Sequence, residues 1–160
     1  MSNELKNFVA NEEKFDDVTM MIIEIKSSKL SFNFIDPNYE IIDIVNNKLN
    51  DYYSYIDKKV LSESNIIFDE ILNNYISYEK KEGLIINILI NIDKDMFVFE
   101  FSNNGVEFNP LNEEMKYIES YDENMPIGGL GLSLIKSLSN DVKYERKDDM
   151  NYLTIKKKIS

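Results

Sequence analysis

Residues 126–136 read PIGGLGLSLIK, and three of the chain's five glycines, Gly128, Gly129 and Gly131, fall within four positions there. Glycine costs folding entropy, so its concentration in a glycine-poor chain points to a backbone task that other residues cannot perform. A helix follows directly, over Leu130 to Ser139. A Gly-rich turn feeding a helix presents unblocked N–H groups at the positive end of the helix dipole, where phosphate binds well. Close packing of a loop would use glycines in the same way. The stretch is not a P-loop, since no Lys-Ser/Thr pair follows it.

Outward from this stretch the order of elements becomes readable. Upstream, residues 103–127 show no convincing period, and an irregular loop that long is usually functional. Before it, Leu84 to Ile92 and Met96 to Phe101 read as strands joined by a tight hairpin at Asp93-Lys94-Asp95. Two helices precede them. Asp36-Pro37 signals a helix start, Tyr39 to Ile56 carries Ile41, Ile42, Val45, Leu49, Tyr52 and Tyr53 at helical spacing, and Ser62 is placed to cap a second helix ending near Tyr78. The chain opens with strands at Val18 to Lys26 and Lys29 to Ile35, and closes with Val142 to Arg146 and Asn151 to Ile159. The pattern ββ, αα, ββ, loop, α, ββ predicts an α/β (α+β) two-layer sandwich, with about three helices on one face of a mixed, mainly antiparallel sheet.

Composition narrows the chemistry. The 160 residues suit one domain, and their hydrophobic content of 43% is ordinary for a globular chain. Cysteine and histidine are both absent, which excludes disulfides, thiolate metal sites and an imidazole base. Acid-base work falls to carboxylates, Lys or Tyr. Net charge is -11, and Arg146 is the single arginine, so wrapping of nucleic acid is not expected. No apolar run reaches the roughly 18 residues of a membrane span, and the opening residues lack a leader pattern, so no membrane partner and a cytoplasmic location are expected.

Three short segments carry candidate chemistry. In FDEILNNYIS (68–77), Glu70 and Asn74 share a helix face, with Glu63 and Ser77 one or two turns away. That is either a solvated polar face or an oxygen pair suited to Mg²⁺, which keeps most of its shell as water and phosphate. In FSNNGVEFNP (101–110), Asn103, Asn104 and Gly105 make a turn at a strand end. A polar side chain beside bare backbone there is also suited to the edge of a purine. The Gly-Gly-x-Gly turn is the third segment.

In this order, Glu-x-x-x-Asn on a helix, a strand ending in Asn-x-Gly, a long loop, then GGLG before a helix, the sequence resembles the GHKL superfamily of ATP-binding domains. The likeness is strongest to bacterial anti-sigma-factor serine kinases, and runs through FNP (108–110), IGGLGL (127–132), Tyr144-Glu145-Arg146 and Asn151-Tyr152-Leu153 over residues 29–159. The resemblance implies a Bergerat-type fold, with ATP and Mg²⁺ as cofactors. Glu70 would act as base or position the attacking hydroxyl, Asn74 would hold Mg²⁺ and nucleotide, Asn103 would stand at the adenine-reading position and Gly105 under the adenine. Gly128, Gly129 and Gly131 would form the hinge of a lid and bind phosphates.

The implied activity is transfer of the γ-phosphate to a serine of a small anti-sigma antagonist, in a circuit that also includes a sigma factor, with the kinase as a homodimer. Two positions depart from the family pattern. Asn103 replaces the usual Asp, so nucleotide affinity should fall or specificity loosen. Met125 stands where relatives often have Arg, within a loop (111–127) that holds Glu113, Glu114, Glu119, Asp122 and Glu123 against Lys116. These departures favour an alternative, a degenerate binding module that regulates a serine phosphatase or holds a protein partner without turnover. A histidine-kinase catalytic domain ranks third, because no helix with a phosphoacceptor His is present. Finally, FDDVTMMIIEIK (15–26) resembles the end of a metal-dependent serine phosphatase, with Asp16 in a metal-ligand position, so residues 1–28 are expected to be a remnant of such a domain and 29–160 the ATP-binding domain.

Overall fold

Three antiparallel hairpins build the sheet in the computed structural model, which describes residues 21–26, 29–78, 82–107, 109 and 130–159. Strands β1 (Met21–Lys26) and β2 (Lys29–Ile35) form the first, β3 (Ile85–Asp93) and β4 (Met96–Asn103) the second, and β5 (Asp141–Lys147) and β6 (Met150–Lys158) the third. The spatial order is β1-β2-β3-β4-β6-β5. The mainly antiparallel sheet expected from the sequence pattern is present, and all five pairings among the described strands are antiparallel. Three of these pairings close hairpins within a few residues, whereas β2 with β3 and β4 with β6 pair across longer connections that contain the helices.

The turns explain the registers. Asp93 pairs with Met96, leaving Lys94 and Asp95 as a two-residue loop, and Lys94 takes φ 58. Lys147 pairs with Met150 across Asp148 (φ 49) and Asp149 (φ 58), the left-handed pair that matches the twist of the flanking strands. At the other end of the sheet, Asp36 (φ 48) uses Oδ1 to accept from the N–H groups of Gly83 (2.6 Å) and Leu84 (3.1 Å), joining the end of β2 to the start of β3.

Helices α1 (Glu40–Tyr52), α2 (Lys58–Tyr78) and α3 (Leu130–Leu138) cover one face. Leu30, Phe32 and Phe34 from β2, Ile86, Ile88 and Ile90 from β3, and Phe97, Phe99 and Phe101 from β4 point into the same core as Ile41, Val45 and Leu49 from α1 and Phe68, Ile71 and Leu72 from α2. Period two on the strands meets period 3.6 on the helices, which is why the two layers share one interior. Phe68 fixes α2 on the sheet, with its ring centroid 4.9 Å from Phe99 and 5.1 Å from Phe101.

Two helix boundaries differ from the sequence reading. The first helix ends at Tyr52, because Tyr53 leaves helical geometry to bury its ring edge-on against Phe97 at 5.0 Å, while its hydroxyl donates to the Ile90 carbonyl at 3.2 Å. The second helix starts at Lys58, and its cap is Asp57, whose Oδ1 accepts from the Lys59 N–H at 2.8 Å. Ser62 therefore lies within α2. Among the described residues no helix is long and apolar enough to cross a membrane.

Candidate functional site

Strand β4 presents Phe97, Phe99, Phe101 and then Asn103 on its helix-facing side, so a row of three aromatic residues ends in an amide that is 1% exposed. A buried amide needs partners. The Asn103 Oδ1 accepts from the backbone N–H of Gly105 at 3.0 Å and from Asn151 Nδ2 at 2.8 Å. Asn151 Nδ2 also donates to the Val106 carbonyl at 2.8 Å, and its Oδ1 accepts from the Tyr144 hydroxyl at 2.7 Å. Arg146 donates from Nη1 to the Gly105 carbonyl at 2.9 Å. The turn after β4 is thus held on both its N–H and C=O sides by residues of β4, β5 and β6.

On α2, Glu70 and Asn74 stand four residues apart on one face, both half-buried. Helix α3 packs against this helix at its own first turn. A Cβ placed on Gly131 would run into the Glu70 carboxylate, coming within 2.9 Å of its Cδ and closer still to Oε2. Gly131 is therefore a close-approach glycine, and it joins the third candidate segment to the first.

The strand and helix directions bring these groups toward one end of the sandwich. Tyr53 and Glu63 meet the sheet near Phe97 and Lys157, which face each other across β4 and β6, whereas Phe68 lies over Phe99 and Phe101, one and two steps toward Asn103. Glu70 and Asn74 continue α2 in that direction. Among the described residues no hydrogen bond links either of them to Asn103.

The polar face of α2 divides in two. Glu63 is not part of the site, since its Oε2 accepts from Lys157 Nζ at 2.6 Å, and Ser77 pairs with the Tyr39 hydroxyl at 3.0 Å. Among the described residues no such bond engages the side chain of Glu70 or Asn74. No group of three or more Asp, Glu, His or Cys suited to a metal ion occurs among the described residues. An Asn and a carboxylate on one helix face still fit Mg²⁺ carried in with a nucleotide, which needs only one or two protein oxygens.

Several sequence expectations fall outside the described residues: Gly128, Gly129, Met125 and the acidic stretch 111–127 in the loop, and Asp16 with residues 1–20 at the start. Residues 21–26 are described, and they pair with β2 as an edge strand, from Met21 opposite Phe34 to Lys26 opposite Lys29. Sequence reasoning also passed over Asn151 as a site residue. Its signal was available, because Asn151 shares the inward face of β6 with Leu153 and Ile155, and a polar residue in an apolar row asks for a reason.

The antiparallel sheet with its one-sided helices is consistent with an ATP-binding domain of the histidine kinase-like class, which the family match establishes. Residues 42–157 match the histidine kinase-like ATPase domain family, and the chain belongs to it. No curated protein matches the sequence. Among solved structures, Acinetobacter baumannii histidine kinase AdeS is similar with a TM-score of 0.46 at 13% identity, over 80% of this chain and 68% of that one.

Proposed function

We propose that this chain is the ATP-binding domain of a protein serine kinase of the anti-sigma-factor type, which binds and phosphorylates a small antagonist protein and acts on a sigma factor as a homodimer. The observation that carries the reading is the contact between Gly131 and the Glu70 carboxylate, which ties the Gly-rich turn to the Glu-x-x-x-Asn helix. In this reading Asn74 and the nucleotide phosphates hold Mg²⁺, which supplies charge neutralisation when bound. Glu70 orients the attacking serine hydroxyl and accepts its proton. Asn103 and Gly105 meet the base, and Gly128, Gly129 and Gly131 provide N–H groups to the phosphates. Catalysis by such a site is mainly positioning and electrostatics.

Calorimetric titration with ATP and ADP, with and without Mg²⁺, tests the site. The expected outcome is Mg²⁺-dependent binding of ATP that Asn74→Ala removes, and phosphate transfer to an antagonist that Glu70→Ala abolishes while binding persists. Absence of heat up to about millimolar nucleotide from folded protein would instead support the second reading, a binding module regulating a serine phosphatase. The occupied Asn103 Oδ1 is the feature that favours that alternative, because the usual charged acceptor for the adenine amine is missing.

A further inference from the structure

The Asn103 amide can be oriented without ambiguity, although oxygen and nitrogen of an amide are normally assigned by network alone. The Gly105 backbone N–H can only donate, so the atom it meets at 3.0 Å is the Asn103 oxygen. The Val106 carbonyl can only accept, so the Asn151 atom at 2.8 Å from it is nitrogen, and that same nitrogen meets the Asn103 oxygen. Two backbone groups therefore fix both amides independently. Both hydrogen bonds at the Asn103 side chain end on Oδ1, and the Nδ2 group enters neither.

The Asn103 nitrogen carries two protons, takes part in neither of these bonds and is not among the sealed unpartnered polar atoms, so at the helix-facing end of β4 it is a donor open to an incoming acceptor. An aspartate in the same position would spend one oxygen on Gly105 and Asn151 and offer the second as an acceptor, which suits the 6-amino group of adenine. Asn103 offers N–H at that point. Donor would face donor with a 6-aminopurine, whereas a 6-oxopurine places an acceptor there.

We propose that Asn103 is a specificity-determining residue that turns this nucleotide site toward 6-oxopurine nucleotides, of the inosine or guanosine type, in preference to ATP. The inference rests on the nucleotide-site reading above. The cleanest probe pair is ITP and ATP, which differ at the purine 6-position and in the resulting N1 protonation, and have the same triphosphate.

The test is titration of the whole chain with MgITP and MgATP, for the natural sequence and for Asn103→Asp. The variant is isosteric, and its carboxylate can still accept from Gly105 and Asn151, so folding is expected to hold and a melting curve checks it. The natural chain should bind ITP about tenfold more tightly than ATP, and Asn103→Asp should invert that order. ATP binding as tightly as ITP to the natural chain overturns the specificity while leaving a nucleotide site in place, and that comparison needs no variant. Failure of both nucleotides to bind either protein overturns the site reading and the specificity together.

Discussion

Gly131 has no side chain where the Glu70 carboxylate lies, and under the proposed kinase reading that vacancy would separate function from stability at a single residue. Alanine in the first turn of α3 gains about 1 kcal/mol of helix propensity over glycine. The added methyl displaces a flexible carboxylate and no backbone, so the fold has little to lose. Gly131→Ala is therefore expected to melt at the same temperature or higher and, if Glu70 is the base of the proposed kinase, to transfer phosphate at least about tenfold more slowly, since misplacing a catalytic group by about an ångström has effects of that size. Paired melting and single-turnover measurements check it; equal rates would detach Gly131 from the chemistry. At this scale the sequence was partly legible. Glu70, Asn74 and Gly131 could be singled out by spacing and by glycine scarcity, and Asn103 by its place at a strand end. The partners of Asn103 could not, because Asn151 lies far along the chain and only the pairing of β4 with β6 sets the two opposite each other.

Elements are held together at the other end of the sandwich by a buried cation. Lys157 lies in the inward row of β6, and its ammonium donates to Glu63 on α2 at 2.6 Å and to the Leu138 carbonyl at the end of α3 at 2.9 Å. Side-chain exposures of 7% for Lys157 and 26% for Glu63 make the pair asymmetric. Removing Glu63 leaves a buried ammonium with one carbonyl, whereas removing Lys157 leaves a carboxylate that water and Lys59, 3.9 Å away, can reach. Glu63→Ala should therefore cost about 3 kcal/mol, and Lys157→Met, which keeps the apolar stem, about 1 kcal/mol or less. Urea unfolding of the two variants measures the difference, and equal losses would contradict the asymmetry. The elements themselves were legible from alternation and helical period, to within a residue or two for most strands. Helix ends were not: Ser62 looked like a cap by residue type, but Asp57 stands before the first turn and takes that role. The clamp escaped because lysine in KKK reads as a solvated run until strand phase assigns the middle residue to the interior.

Across the whole molecule, the two-layer architecture followed from hairpins and helices in order, while the wholly antiparallel pairing needed the three-dimensional neighbours. One residue links the layers in a way that pH can read. Tyr53 is fully buried where α1 stops, and donates its hydroxyl to the Ile90 carbonyl of β3. Burial pushes its phenol well above the ordinary 10.0, and the nearby Tyr52 and Tyr55 add to the shift. The folded state thus keeps the proton at a pH where the unfolded chain has released it. Stability from this group is complete below the unfolded value and declines as pH rises above 10.0, by about 1.4 kcal/mol per pH unit until the folded phenol itself ionises. Tyr53→Phe loses one hydrogen bond, about 1 kcal/mol at about pH 7, but removes that alkaline penalty. Every other titrating group is common to both proteins, so their difference isolates Tyr53. The natural chain should be the more stable at about pH 7, the two should converge near about pH 11, and above that the phenylalanine variant should be the more stable. Urea midpoints taken across that range decide it: parallel curves would mean that Tyr53 ionises as readily in the folded chain as in the unfolded one, and that the seal between α1 and the sheet is open to water.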